Sequence, residues 1–402
     1  MTVLVAGAGM AGLAAALALR QADPTLAVTL LERSPVLSEV GAGIQLGPNA
    51  VRVLADWGLA PALQACAAFP QDLQAREPVH GRVLGALPLG ESARQRYGQP
   101  YATIHRADLH RLLHQAVLAD GGTDLRLGDA VVHVTDTEDR PGVVSTSGTR
   151  WSADVLLGCD GGRSAVRTQV LADGGLHYSG DLAYRGLVPM DALPARLRQP
   201  RVTVWLAPGL HIVHYPVQAG AAMNVVAVVA GPLPPDADEW DHEAHAGQLR
   251  AALGPVCDDL DQLLQAVPGW RLWPLMVREP MRGTQEHARG RVALLGDAAH
   301  PMRPYLAQGA AMALEDAWTL GRCVAASGTA RPHDWPALLQ RWASLRWARN
   351  ARVQARARRN GQLFHAVGPL RWARDLGMGL MGPQVMDQPW LYAGPPPVPA
   401  PG

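Results

Sequence analysis

The chain has 402 residues, 36 basic and 35 acidic side chains, a formal net charge of +1 and 48% hydrophobic residues. That length supports a main domain plus a smaller one, and the even charge excludes both a disordered chain and a nucleic-acid partner held by a basic face. All 36 basic residues are arginine, which excludes Schiff-base, Walker-lysine and lysine-base chemistry. Cys66, Cys159, Cys257 and Cys323 lie far apart and form no C-x-x-C pair. No metal site is therefore expected, and a reducing cytoplasm is the expected compartment.

Residues 2–6 are a short apolar and β-branched run, followed by Gly7-Ala-Gly9-Met-Ala-Gly12 and an alanine-leucine stretch of helical composition. Residues 3–19 carry no charge, yet no basic residue precedes them and patterned glycines interrupt them. They read as neither a signal peptide nor a span, so no stable membrane association is expected. Residues 26–32 form a second buried strand that ends in Glu32 and Arg33. Strand, glycine turn, helix, strand and terminal acid make a dinucleotide fingerprint. Gly7 and Gly9 let backbone amides approach a pyrophosphate at the helix N-terminus, and Gly12 lets the helix pack closely on the strand. Glu32 is placed to accept ribose hydroxyls, with Arg33 beside it at the same cofactor end.

A second glycine-rich stretch, Gly41 to Asn49, leads into helical residues 49–57. Residues 101–119 carry His105-Arg106-Ala-Asp108 ahead of Leu109, Leu112, Leu113 and Val117, an amphipathic helix with Asp108 as its expected acidic cap. Residues 125–134 and 143–157 supply strands. Past Asp181 the strand-like runs 202–205, 211–217 and 223–229 are broken by Gly and Pro, the texture of an inserted antiparallel sheet. A buried strand returns near Val292, followed by Gly296-Asp297 and a helix to about Ala326. Residues 335–364 form a long arginine-rich helix, and residues 394–402 a Pro-rich tail expected to pack on nothing.

Three motifs stand in one order: Gly7-x-Gly9-x-x-Gly12, Cys159-Asp160-Gly161-Gly162-Arg163-Ser164-Ala-Val-Arg167, and Gly296-Asp297-Ala-Ala-His300-Pro301. The ordered triple resembles the single-component FAD-dependent aromatic hydroxylases, a group that includes salicylate hydroxylase, 3-hydroxybenzoate 6-hydroxylase and 6-hydroxynicotinate 3-monooxygenase. The resemblance runs nearly the whole chain. It implies an α/β fold: a Rossmann-like FAD-binding domain with an inserted antiparallel β-sheet substrate domain and a C-terminal helical segment. The expected boundaries are 1–70, 101–180 and 281–365 for the FAD domain, 71–100 and 181–280 for the substrate domain, and 366–402 for the C-terminal segment.

The resemblance also implies roles. Arg106 joins the first motif and Glu32 on the ADP half of FAD, and Asp160 serves both FAD and the nicotinamide donor, with Arg167 supporting that segment. Gly162 replaces a bulkier aliphatic residue common in the family. Asp297 accepts a ribitol hydroxyl, and Pro304 to Ala311 start a helix whose amides at Gly309 and Ala310 face the flavin, where a helix N-terminus stabilises reduced flavin. NADH or NADPH visits as a transient co-substrate, because no second glycine fingerprint exists. In the family, O2 and reduced FAD give a C4a-hydroperoxide that an electron-rich phenol or hydroxypyridine attacks. Expected partners are a small aromatic substrate, O2 and NAD(P)H, in a monomer or homodimer.

Deprotonating a phenol of pKa ~10 calls for a base poised near neutrality, which points to histidine. In the strand around His211-Ile-Val-His214-Tyr215-Pro216, alternation puts His211, Val213 and Tyr215 on one face and His214 on the other. The family pattern matches His211 as base and Tyr215 as the group that holds the substrate's oxygen or acid; His214 is the alternative base. His300 is secondary. Arg185 and Arg303 are candidates for a substrate acid, and Trp205, Trp270 and Trp273 line an aromatic pocket or pack in the core. Two other functions stay open, oxygenation of a larger polycyclic substrate and a flavin-fold binding protein without turnover.

Overall fold

A computed structural model describes residues 1–37, 42–136, 140–234, 242–244, 246–328 and 332–399. Its first layer is a six-stranded sheet in the spatial order Ala288–Arg289, Val292–Leu294, Val155–Gly158, Thr2–Ala6, Ala27–Glu32, Thr123–Leu127. Every pair is parallel except the edge pair Ala288–Arg289 with Val292–Leu294. Strands covered on both faces must be apolar throughout, and Val3 to Ala6 are each almost fully buried. The helix Met10–Ala22 packs against the helix Gly309–Ser327. Gly321 permits their close approach, since a Cβ there would lie 2.7 Å from the Ala18 carbonyl oxygen.

The second layer is an eight-stranded sheet in the order His242–Ala244, Trp270–Val277, His177–Pro189, Ala222–Ala230, Leu210–Val217, Arg201–Ala207, Asp72–Arg76, Val83–Pro88. It is antiparallel except where Arg201–Ala207 runs parallel to Asp72–Arg76. One face buries Trp205, Ile212 and Met223 against the short helix Asp258–Gln265. The other face looks toward the long helix Trp335–Phe364 and the helix Gly368–Met386. A two-stranded ribbon, Gly43–Leu46 with Ala102–His105, clamps the layers together. Thr103 Oγ1 donates to the Pro216 carbonyl at 2.5 Å, and the Gly43 amide donates to Asn224 Oδ1 at 2.7 Å.

Two local expectations change. The strand Ala102–His105 passes straight into the helix Arg106–Asp120, so Asp108 lies in the helix's first turn, paired with Arg111, and is not the cap. The Pro-rich tail does pack: Val398 is partly buried against the main core and Arg341 donates to the Pro399 carbonyl. The tail is held because the preceding turn of helix, Pro389–Tyr392, buries Leu391 and Tyr392 and delivers it to the long helix.

Candidate active site

The glycine turn is built by backbone collisions that only glycine avoids. Gly7 has φ +95°, and a Cβ there would lie 2.6 Å from the Cys159 carbonyl oxygen; a Cβ on Gly12 would lie 1.9 Å from the Gly7 oxygen. Gly9 differs, because a Cβ there would meet nothing within 4 Å. The space above it is open at the start of the helix Met10–Ala22, which carries no side-chain cap. Uncapped amides facing an open cleft fit a pyrophosphate. Glu32 braces the turn: Oε2 accepts the Ala8 amide and Oε1 the Ser34 amide, both at 2.8 Å. Each oxygen keeps lone-pair capacity for a ribose hydroxyl. Arg33, the next residue, is exposed.

At the opposite end of the cleft, Asp297 sits just after the strand Val292–Leu294 and close to the start of the helix Gly309–Ser327; a Cβ on Gly309 would lie 3.9 Å from its Oδ1. Asp297 is reached by solvent yet ringed by protein, and that desolvation pushes its carboxyl above the usual range against the opposing charges of His300 and Arg106. The helix at Gly309 and Ala310 has no side-chain cap, so its first amides are free for a ligand. Asp160 is committed differently, accepting Ser164 Oγ at 2.5 Å and the Val166 amide at 3.2 Å, so its carboxylate organises the turn into the helix Ala165–Leu171. Burial raises its pKa, and those hydrogen bonds oppose the rise. Arg167 then joins the second motif to the third, donating to the carbonyls of Ala298 at 3.2 Å and Ala299 at 2.5 Å. Across Gly162, a Cβ would come within 3.3 Å of Leu176.

His300 is architectural. Its Nε2 meets Asp316 Oδ2 at 2.6 Å, and Asp316 also takes Arg346 Nε at 2.8 Å and Asn350 Nδ2 at 2.9 Å through Oδ1. His287, His300 and Asp316 have the spacing of metal ligands, but with Arg346 on the same carboxylate the cluster is a buried charge network. Burial holds His287 neutral, with its pKa lowered to about 3.

Between the eight-stranded sheet and the C-terminal helices lies a cavity with about 950 Å³ of empty space, its open mouth included. Its floor is Leu73, Ala75, Val204, Leu206, His211 and Val213, and its aromatic walls are Tyr101, Tyr305, Phe364 and Tyr392. His211 packs against Tyr305 and Phe364, ring centroids 5.0 and 5.2 Å apart, and burial together with His365 drives its pKa well below the usual histidine value. Tyr215 shares that face further along the strand, behind Gly43, where a Cβ would come within 2.8 Å of its ring. Burial raises the Tyr215 phenol well above its ordinary pKa, with the nearby Arg185 opposing. His214 points through the sheet toward Trp205, Arg76 and Arg201, and neither of its ring nitrogens has a partner.

This geometry agrees with the comparisons. Residues 1–357 match the family model described as an FAD binding domain. The chain belongs to this family. It is 34% identical over 395 residues to 3-hydroxybenzoate 6-hydroxylase of Polaromonas naphthalenivorans (strain CJ2), covering 98% of this chain and 96% of the relative. It is 39% identical over 378 residues to 3-amino-4-hydroxybenzoate 2-monooxygenase of Streptomyces cremeus, covering 94% and 91%. The fold superposes on a solved salicylate hydroxylase substrate complex with a TM-score of 0.80 at 25% identity, covering 98% and 97% of the two chains. The chain is an FAD-dependent aromatic hydroxylase.

Sequence reasoning missed several residues of this flavoprotein's cavity. Arg356, on the long helix, lines it, and its buried Nε has no hydrogen-bond partner among the described residues. Among the described residues its charged neighbours are Arg352 and Arg359, which together with burial lower its pKa. The available signal was helical spacing: Arg356 lies three residues after buried Val353 and four before buried Asn360. Of the two arginines singled out, Arg303 is engaged by Asp181 at 3.2 Å and the Ser179 carbonyl at 2.9 Å, and Arg185 lies over the Trp273 ring. Neither these two arginines nor Trp205, Trp270 and Trp273 line the cavity. Among the described residues no helix is long and apolar enough to cross a membrane.

Proposed function

We propose that this enzyme hydroxylates a small phenolic or hydroxypyridine-type aromatic acid, with NADH or NADPH as reductant and O2 as oxygen source. One aromatic C–H becomes C–OH, the second oxygen atom leaves as water, and the nicotinamide provides two electrons. Bound FAD supplies electron acceptance and oxygen activation. Gly7, Gly9, Gly12, Glu32, Arg33 and Arg106 would hold its ADP half, and Asp160, Asp297, Gly309 and Ala310 the remainder. Residues 1–70, 101–180 and 281–365 would form that domain, with 71–100 and 181–280 forming the substrate domain and 366–402 closing the cavity.

The observation that carries this reading is Arg356, a guanidinium that lines the cavity and has no carboxylate partner among the described residues. A half-buried guanidinium gains from a partner of opposite charge, and a substrate carboxylate provides one. His211, kept neutral, accepts the substrate's hydroxyl proton and so raises the electron density of the ring. Tyr215 stands behind the cavity lining, beside Gln45 which lines it; kept protonated, it would act on a substrate oxygen through Gln45. The apolar floor and the aromatic walls exclude water. The cavity's volume would also admit a larger polycyclic molecule, but such a substrate leaves Arg356 unanswered unless it too is an acid.

The experiment is a panel of 3-hydroxybenzoate, 3-amino-4-hydroxybenzoate, 6-hydroxynicotinate and uncharged polycyclic phenols, scored for stimulated NAD(P)H oxidation and for product mass. Hydroxylated product from an aromatic acid is expected; turnover confined to the uncharged phenols overturns the reading. His211→Ala is expected to keep its FAD and lose ~10²- to 10⁴-fold in hydroxylation at neutral pH, recovering in part as pH approaches the substrate's own pKa. An unchanged rate removes His211 as the base.

A further inference from the structure

His211 does not stand alone behind the cavity. Its Nδ1 lies 3.0 Å from Nε2 of His365, the residue that ends the long helix Trp335–Phe364. Nδ1 of His365 faces Asp181 Oδ1 at 3.8 Å, an ion-pair contact longer than a direct hydrogen bond. Asp181 Oδ2 is in turn fixed by Arg303 Nη1 at 3.2 Å. A strand, a helix end and a second strand thus bring Asp181, His365 and His211 into one file. Solvent reaches the file at its middle member: the His365 side chain is 14% exposed, whereas His211 and Asp181 are both buried.

The file admits one consistent set of tautomers. The Asp181 carboxylate favours a proton on His365 Nδ1, leaving Nε2 of that ring as an acceptor. His211 must then donate from Nδ1, so its Nε2 lone pair is the one left for a substrate hydroxyl. That orientation follows the logic by which a carboxylate sets the tautomer of a catalytic histidine. We propose that His365 and Asp181 orient His211 as a base and carry the proton it receives out to solvent.

The step involves no change in electron count. The substrate O–H bond breaks as an N–H bond forms at His211 Nε2, and the proton on His211 Nδ1 moves to His365 Nε2. The proton on His365 Nδ1 then leaves to bulk water at the partly exposed His365 ring, beside Asp181. The charged and titratable groups around the pair explain the direction of flow. Burial and His365 disfavour a cation at His211, whereas Asp181 and the carbonyl end of the long helix favour one at His365. Burial and Arg303 oppose a cation at His365, so it does not stay there. Tyr305 and Phe364 pack on both imidazoles or beside them and wall the path from the cavity.

The proposal rests on His211 as the base, so its test must separate the two ideas. The experiment uses FAD-loaded enzyme without nicotinamide, mixed with whichever of 3-hydroxybenzoate, 3-amino-4-hydroxybenzoate or 6-hydroxynicotinate perturbs the flavin spectrum. Ligand ionisation is read from its ultraviolet absorbance across pH, and proton release from a pH-indicator dye in a stopped-flow instrument. His365→Gln and, as a second and more conservative variant, Asp181→Asn are expected to keep FAD and ligand binding. Both should slow proton release by ~10-fold or more and raise the pH at which the bound ligand ionises. Added imidazole should restore release in His365→Ala. Wild-type release and ionisation in both His365→Gln and Asp181→Asn, together with a loss in His211→Ala, overturns the relay and leaves the base in place. Unchanged ionisation in His211→Ala overturns the base, and the relay with it.

Discussion

The two ends of the site handle their polar groups in opposite ways. At the cofactor end the buried or half-buried charged side chains are committed to the protein, and only helix-start amides stay open: Glu32 holds the amides of Ala8 and Ser34, Asp160 takes Ser164, Arg167 the Ala298 and Ala299 carbonyls, and Asp316 takes His300, Arg346 and Asn350. At the substrate end Arg356 Nε is buried with no hydrogen-bond partner among the described residues. A constant ligand is met by a shape that backbone and charge network fix beforehand. On the proposed reading, the substrate is met by a polar group held in reserve, whose desolvation is offset only when it arrives.

The sharpest way to break this contrast is to remove a charge from the committed end. Arg346 is fully buried and pairs with Glu315 and Asp316, each at 2.8 Å. Against burial, Arg346 and Arg349 hold the Glu315 carboxyl below its usual range, and His300 and Arg346 hold that of Asp316 far below it. Arg346→Met would leave two buried carboxylates short of a counter-charge, and is expected to cost about 3–5 kcal/mol of stability. Chemical denaturation of the FAD-loaded protein measures it, and a cost under about 1 kcal/mol would mean the network is not committed as described.

The reserve end should answer differently. Arg356→Gln removes a charge that has no carboxylate partner among the described residues, so folding stability should change little or rise. The KM for an aromatic acid should increase by ~10- to 100-fold, the value of a charge-assisted hydrogen bond or two, while an uncharged phenol analogue should be nearly unaffected. Equal losses for acid and phenol would show Arg356 shaping the cavity and not reading a carboxylate.

The same division explains what could be read in advance. The cofactor end is local: Gly7 to Gly12, Glu32 and Gly296-Asp297 owe their roles to turns and strand ends within a few residues of themselves, and the alternation that puts His211 and Tyr215 on one face is a property of a single strand. The helix Trp335–Phe364 was legible to its ends as a long arginine-rich run, and the structure shows Asp334 capping its start. His365, Asp181 and Arg356 were not legible, since each matters only where separate elements cross. His365 in sequence is simply the residue after a helix, and Arg356 is one arginine in a helix full of them. The helix Gly368–Met386 was foreseen only as a helical segment. That it roofs the cavity through Met378 and Met386 depends on a reversal after His365 that no local pattern announces.

The smallest expected effect comes from the histidine on the wrong face. His214 is buried with both ring nitrogens unpartnered, and burial, reinforced by Arg76 and Arg201, lowers its pKa to about 3. Below the ordinary histidine pKa of about 6.5 the unfolded chain binds a proton that the folded chain refuses until pH is near 3, so this group withdraws stability as pH falls through that window. The slope is about 1.4 kcal/mol per pH unit for one such proton. His214→Leu removes both the unpaired polar atoms and the titration. At pH 7.5 its stability should lie within about 1 kcal/mol of wild type, and hydroxylation should be unchanged. At pH 5 the variant should have gained on wild type, because only wild type has lost this proton-linked term. Urea unfolding of both proteins at the two pH values decides it. A variant that loses ground as pH falls would mean that His214 is protonated in the folded protein, with an acceptor on that side of the sheet.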